Sequence, residues 1–230
     1  MTDQNEALAA IRSGFHLSPE RIYLDGNSLG ALHNTVRQHV DTVINSQWGE
    51  DLIAGWNHHD WINLPSTVGD RIAQLLGASV GEVLCCDNLS INLFKCLAAA
   101  LELNAPRTRI VTEAGHFPTD NYIAAGLAQL LGPHRCQIEP VAVEALDTLD
   151  FSDVAVLSLS HVNFRTGTLR DLSGITARAQ AAGALVIWDL AHSAGVIETA
   201  LNRHSVDMAV GCTYKFLNGG PGSPGFLYVA

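Results

Sequence analysis

Apolar residues along the chain follow two alternating rhythms. Short apolar runs, Val83-Leu84-Cys85-Cys86, Arg109 to Glu113, Gln137 to Val141, Val154 to Ser160, Leu185 to Trp188, Asp207 to Gly211 and Phe226 to Val229, read as strands buried on both faces. Between them lie segments with helical spacing. Pro65 opens one at a favoured first position, with Val68, Ile72, Leu75 and Leu76 on one face and Gly77 to stop it. Others run from Ile91 to Leu103, Asn121 to Leu131 and Asp171 to Ala182, the last turning Leu172, Ile175, Ala179 and Ala182 inward. Strands that alternate with helices predict an α/β fold, a mostly parallel, doubly wound sheet with helices on both faces.

Residues 1–63 break this rhythm and form a separate N-terminal segment before the sheet domain of residues 64–230. A short helix is expected from Asn5 to Arg12, a brief extended piece at Ile22-Tyr23-Leu24, and a tight turn at Asp25-Gly26-Asn27-Ser28-Leu29-Gly30. His33 to Trp48 reads as one helix. Gly49 to Leu64 then carries Trp56, Trp61 and the pair His58-His59. Adjacent histidines diverge, so this pair is not expected to hold a metal; a loop that packs its aromatics on a neighbour, such as a second subunit, fits better.

Composition narrows the function classes. A formal charge of −10 with scattered arginines disfavours nucleic acid and anionic membranes as partners. With 47% hydrophobic and 16% charged residues, the chain can bury a core and is not globally disordered. Five cysteines make neither a disulfide framework nor a CxxC pattern, which suggests reduced thiols and a cytoplasmic setting. The N-terminus lacks the apolar stretch of a signal peptide, and no run approaches the roughly 20 residues of a membrane span.

Chemistry concentrates near the end. Of 13 basic residues only Lys95 and Lys215 are lysines. Lys95 falls in a helical run, where its stem can snorkel to water. Lys215 follows a strand and precedes a Gly/Pro-rich loop, so its amine can enter a cleft; alone it reads equally as a solvated loop lysine. Asp189 ends the preceding strand at the carboxyl edge, where open α/β sheets bind ligands, and His192 follows three residues later. Asp87-Asn88-Leu89-Ser90 leads into a helix start that suits a phosphate or is a plain N-cap. Phe117 is placed to stack on a flat ring or to pack in the core, and Asp120 reads also as a helix-start acid. Neither GxxxxGK[ST] nor GxGxxG occurs, so a nucleotide site lacks support.

The segments DLAHSAG and CTYKFLNGGPGS, with GNSLG and FPTD upstream, resemble fold-type-I pyridoxal-phosphate enzymes and, among them, the kynureninase family. That resemblance implies a large domain with a seven-stranded sheet whose last strand is antiparallel. It implies pyridoxal 5'-phosphate in imine linkage to Lys215, with Asp189 holding the pyridine nitrogen protonated. Leu89 and Ser90 match the phosphate cradle, and Phe117, Pro118, Thr119, Asp120, Ser160, His192 and Tyr214 match other cofactor contacts. Ser28 of the GNSLG turn matches a substrate contact. The implied reaction is hydrolysis of L-kynurenine, or 3-hydroxykynurenine, to anthranilate and L-alanine in tryptophan catabolism and NAD biosynthesis. Lys215, Tyr214 and Asp189 would act, Lys215 as general base and acid. A homodimer is the expected assembly. Rival readings are a cysteine desulfurase or an aminotransferase of the same superfamily, though Cys212 reads as structural. Such enzymes are longer, with a C-terminal small domain that this chain is expected to lack. A third reading is therefore an inactive, cofactor-binding fragment that turns kynurenine over poorly.

Overall fold

The computed structural model describes residues 2–230, with side chains from Asn5 onward. The sheet has seven strands: β1 (Val83–Cys85), β2 (Arg109–Glu113), β3 (Gln137–Val141), β4 (Val154–Ser160), β5 (Leu185–Asp189), β6 (Met208–Cys212) and β7 (Gly225–Val229). Their order is β1-β7-β6-β5-β4-β2-β3. All neighbouring pairs from β3 to β6 are parallel, whereas β7 runs antiparallel to both β6 and β1. The expected α/β class, strand count and antiparallel last strand are thus observed.

Among the described residues, seven α-helices accompany the sheet: α1 (Thr2–Ser13), α2 (Thr35–Thr42), α3 (Gly55–His58), α4 (Leu64–Leu76), α5 (Leu89–Leu103), α6 (Pro118–Leu131) and α7 (Leu172–Ala181). One core cluster lies on the α4 and α7 face, where Ile72, Leu76, Leu159, Trp188 and Phe226 meet. The other lies on the α5 and α6 face, with Leu93, Leu97, Leu127, Val156, Ile187 and Val210. Every residue of β4 is buried, as expected of a central strand covered on both sides. Trp188 is fully buried because its indole N–H donates to Thr176 Oγ1 at 2.9 Å, which satisfies the one polar group of a large apolar side chain.

Several boundaries differ from the sequence expectation. α5 begins at Leu89 rather than Ile91, because Asn88 caps it by accepting the Ile91 N–H at 3.0 Å. α6 begins at Pro118 rather than Asn121, with proline in the first turn where it lacks only an N–H that would go unpaired. Leu89, Ser90, Thr119 and Asp120 therefore sit in first helical turns, not in loops. The helix expected from His33 to Trp48 divides into α2 and a π-helical segment, Val43–Trp48. Leu75, expected inward, is 55% exposed; Gly69 and Ala73 join Ile72 and Leu76 on the buried face of α4 instead. Among the described residues, no helix is long and apolar enough to cross a membrane.

Residues 15–63 contribute no strand to the sheet and leave many apolar side chains exposed. They do fold locally. Trp56 and Trp61 meet edge to face at 6.5 Å, the Trp61 N–H donates to Gln47 Oε1, and His59 Nε2 lies 2.6 Å from Asp51 Oδ2. The Asp25–Gly30 turn docks on the far end of the chain, its Gly30 N–H donating to the Tyr214 carbonyl at 2.8 Å.

Gly69 shows how tightly α4 packs on the sheet. A Cβ there would lie 2.0 Å from the Val83 carbonyl oxygen. Glycine to alanine inside a helix ordinarily stabilises by about 0.5–1 kcal/mol. Gly69→Ala is expected to do the opposite, lowering stability by about 1–3 kcal/mol because backbone must move. The urea-unfolding midpoint checks the sign.

Candidate functional site

Four parallel strands deliver their carboxyl ends to one edge of the sheet, and the side chains just past those ends enclose a cavity of about 200 Å³. Wider surface grooves exist elsewhere. This cavity is set apart by what lines it: Asp189, His192, Lys215, Tyr214, Phe117 and Asp120, together with Leu89 and Ser90 from the first turn of α5.

β5 and β6 supply the reactive pair. Asp189 is paired in register with Ser160 of β4 and is buried. Its Oδ1 accepts the Ala191 N–H at 2.8 Å, and its Oδ2 accepts from Ser160 Oγ at 3.4 Å. Burial, then repulsion from Asp120, pushes the Asp189 carboxyl up to about 7. Lys215 is 8% exposed, and its Nζ hydrogen-bonds His192 Nε2 at 2.9 Å. His192 is held neutral for that role: burial and then the Lys215 charge lower it to about 4. The lysine nitrogen also lies 5.8 Å from the ring centres of both Phe117 and Tyr214. Burial raises Tyr214 to about 12, so its hydroxyl keeps its proton at neutral pH.

The loop after β6 is pinned so that this lysine has a defined place. Thr213 Oγ1 donates to the Pro224 carbonyl and contacts Ser223 Oγ at 2.7 Å, while the Gly219 N–H donates to the Thr213 carbonyl. Thr213 escaped the sequence reading; a threonine between a strand end and the Tyr-Lys pair, with Ser-Pro downstream, was its only signal. Gly225 lets β7 pass the site, since a Cβ there would come within 2.9 Å of the Leu89 nitrogen. That nitrogen and its neighbours in the first turn of α5 have no partner earlier in the helix.

Among the sequence candidates, Leu89, Ser90, Phe117, Thr119, Asp120, Asp189, His192, Tyr214 and Lys215 converge on the cavity. Pro118 does not line it; its ring is exposed and its place is the start of α6. Ser160 does not line it either, being buried beside Asp189 instead. His192 meets Lys215 rather than hydrogen-bonding Asp189. Ser28 is exposed in a turn that docks beside Tyr214 and Lys215 without lining the cavity. Lys95 is excluded, because it pairs on the surface with Asp87. Cys212 is buried, and burial raises its thiol, so it is no poised nucleophile.

Behind the cavity stands a bracing network that sequence reasoning missed. Glu113, at the end of β2, forms an ion pair with Arg170, Nη2 lying 2.5 Å from Oε1, and accepts from Asn163 Nδ2 at 3.0 Å. Asn163 also donates to the Gly115 carbonyl and accepts the Arg165 and Thr166 N–H groups. The turn before Phe117 is thereby tied to the loop carrying Phe164, whose ring meets Phe117 edge to face at 5.1 Å.

A flat heteroaromatic bearing an aldehyde and a phosphate fits these residues. The lysine supplies an amine, the buried carboxylate suits a protonated ring nitrogen, and the open end of α5 offers N–H donors to an anion. The orphaned oxygens of Asp120 mark a floor that wants a polar partner. His116, Asp120 and Asp189 bring their donor atoms within 4.8 Å of one another on that floor.

Two outcomes are expected from this geometry. Arg170→Ala strands the buried Glu113 carboxylate and should cost about 3–5 kcal/mol, much of it recovered in Arg170→Met/Glu113→Gln; unfolding midpoints measure both. Asp189 has its folded pKa above its unfolded one, so its favourable contribution belongs to the protonated form and is lost as pH rises from about 4 through about 7. Asp189→Asn mimics that form. The cofactor-free variant should be more stable than the parent at pH 8, on the order of 2–4 kcal/mol, with the difference vanishing near pH 4.

Comparison with known proteins agrees with this picture. Residues 66–230 match the model of the aminotransferase class-V family. A kynureninase from Burkholderia pseudomallei is 48% identical over 99% of this chain, and one from Pseudomonas fluorescens is 46% identical over 99%. The chain spans 56% of the length of each of these relatives. In fold it is similar to the cysteine desulfurase CsdA from Escherichia coli, with a TM-score of 0.78 at 18% identity over 96% of this chain and 57% of that one. A NifS-like protein superposes with a TM-score of 0.73 at 21% identity, over 91% of this chain and 59% of that one. The matched residues contain the whole cavity, from Leu89 to Lys215, and the chain belongs to the aminotransferase class-V family.

Proposed function

We propose that this chain is the cofactor-binding part of a kynureninase, a hydrolase that converts L-kynurenine and water to anthranilate and L-alanine with pyridoxal 5'-phosphate. The observation that carries the reading is that Lys215 and Asp189 line one small cavity at the carboxyl edge of the sheet. Identity of 46–48% to kynureninases over nearly the full chain supports the substrate class.

Bound there, the cofactor supplies an aldehyde that condenses with amines and a ring that accepts an electron pair. Leu89 and Ser90 would hold its phosphate with backbone N–H groups and a hydroxyl, and Tyr214 and Thr119 are placed to add donors. Phe117 would cover one ring face, and Asp189 would keep the proton on the ring nitrogen. Lys215 Nζ is the group that takes the proton from the substrate α-carbon and returns one. His192 Nε2, neutral and 2.9 Å away, keeps that nitrogen aimed into the cavity. The protonated Tyr214 hydroxyl can donate to an oxygen on which charge develops. Ser28 belongs to the Asp25–Gly30 turn, which docks on the Tyr214 carbonyl through Gly30, and that docking supports a substrate contact by Ser28.

The wider reading is a homodimeric cytoplasmic enzyme of tryptophan catabolism and NAD biosynthesis, with residues 1–63 as an N-terminal segment and 64–230 as the large domain. The exposed Val40, Val43, Ile44, Trp48, Leu52 and Ile53 favour a protein neighbour over that segment. A small domain carrying the substrate-carboxylate arginine belongs to the same reading. A desulfurase is the less favoured alternative: the desulfurase likeness is one of fold, and Cys212 is buried.

Borohydride reduction of the chain with added pyridoxal phosphate, followed by peptide mapping, tests the cofactor site. Label on Lys215, retained in Lys95→Ala and lost in Lys215→Ala, is expected; label on Lys95 alone, or none, overturns the reading. Alanine release from kynurenine but not from cysteine, at a low rate for the chain alone, is expected in parallel.

A further inference from the structure

The floor of the cavity holds more carboxylate than its hydrogen bonds satisfy. Asp120 and Asp189 are both buried, and their oxygens lie within 4.8 Å of each other and of a His116 nitrogen. Asp189 has donors of its own in Ala191 and Ser160. Asp120 has none on either oxygen, and neither nitrogen of His116 has a hydrogen-bond partner. Yet His116 Nδ1 is 3.0 Å from Asp120 Oδ2, off the line a hydrogen bond needs, with His116 1% and Asp120 3% exposed. Lys215, also at the cavity, is engaged with His192.

Two buried carboxylates this close do not both stay ionised unless each faces a positive charge. On the function proposed above, the protonated ring nitrogen serves Asp189, which leaves Asp120 without a counter-charge. The sequence builds one in: His116 and Asp120 stand four residues apart across a first helical turn set by Pro118. We propose that His116 is a positioning residue, a protonated imidazole paired with Asp120, which fixes the charge of the floor so that the Asp189 carboxylate is left to face the cofactor ring.

The surroundings agree. The charged groups acting on His116 are Asp120 from α6, Asp189 from β5 and Glu113 from β2, all acidic. Burial pulls the imidazole pKa down, but these three carboxylates carry it above its ordinary value. Glu113 is itself neutralised by Arg170, so Asp120 is the partner with charge to spare. Counted over the floor, two carboxylates then balance one imidazolium and one ring proton.

The test reads protonation directly, on the cofactor-free chain, so it stands apart from whether pyridoxal phosphate binds. Nitrogen-15 NMR of histidine-labelled chain, with His116 identified by loss of its signal in His116→Asn, should show His116 protonated at pH 7. In Asp120→Asn its titration midpoint should fall by about one unit or more, a tenfold loss of proton affinity; Asp120→Ser gives the same readout should the first variant not fold. A neutral His116 at pH 7 in the parent chain overturns the proposal, and so does a midpoint that ignores the loss of Asp120.

Discussion

Everything at the site depends on placing the Asp189 carboxylate where water does not reach. A charge in such a place is costly unless neighbouring groups replace its hydration. Here the replacement is partial: the neighbouring His116, one backbone N–H, one long hydroxyl contact and the more distant Lys215. The consequence is a carboxyl raised to about 7, poised between its two forms near neutrality. A site with that property holds latent demand for a positive, planar, hydrogen-donating partner. The cost comes from where Asp189 sits, at the end of β5 between β4 and β6, whose residues are all buried.

Placement is then a matter of sheet geometry. Parallel strands bring the last residues of β2, β4, β5 and β6 to one edge, and α5 after β1 and α6 after β2 begin there. α5 brings Leu89 and Ser90, α6 brings Thr119 and Asp120, and the loop after β6 brings Tyr214 and Lys215. The Glu113–Arg170–Asn163 network stiffens the two loops that hold Phe117 and Phe164, so the aromatic wall is set from behind. Rigid support of this kind is what keeps an amine and a carboxylate in register across two strands.

The sheet and the core of the site were readable from the chain because both rest on local pattern. Leu185 to Asp189 is an apolar run ending in an acid, and Cys212 to Lys215 is a strand end followed by glycines. Each states its own structure within a few residues. What stayed hidden depends on partners far apart in sequence or on small shifts in register. Glu113 and Arg170 stand 57 positions apart and look like ordinary charged residues until the fold joins them. Leu75 fits a helical stripe yet faces outward, because Gly69 and Ala73 let α4 approach β1 closely and rotate the buried face. Ser160 ends its strand at the right edge on the same face as its register partner Asp189, but its hydroxyl is turned to that carboxylate and it does not line the cavity.

The N-terminal segment connects to the site by backbone rather than by side chains. Gly30 donates to the Tyr214 carbonyl, and a Cβ on Gly30 would fall 2.3 Å from the Lys215 carbonyl oxygen. No residue larger than glycine can make that approach without moving the lysine segment. The turn is thus clamped to the main chain of the residues that carry the chemistry, while Ser28 two positions earlier stays exposed. The site is thus joined to the rest of the fold by main chain from two directions: Asp189 is held at the end of β5, and the segment that carries Lys215 is gripped by Gly30.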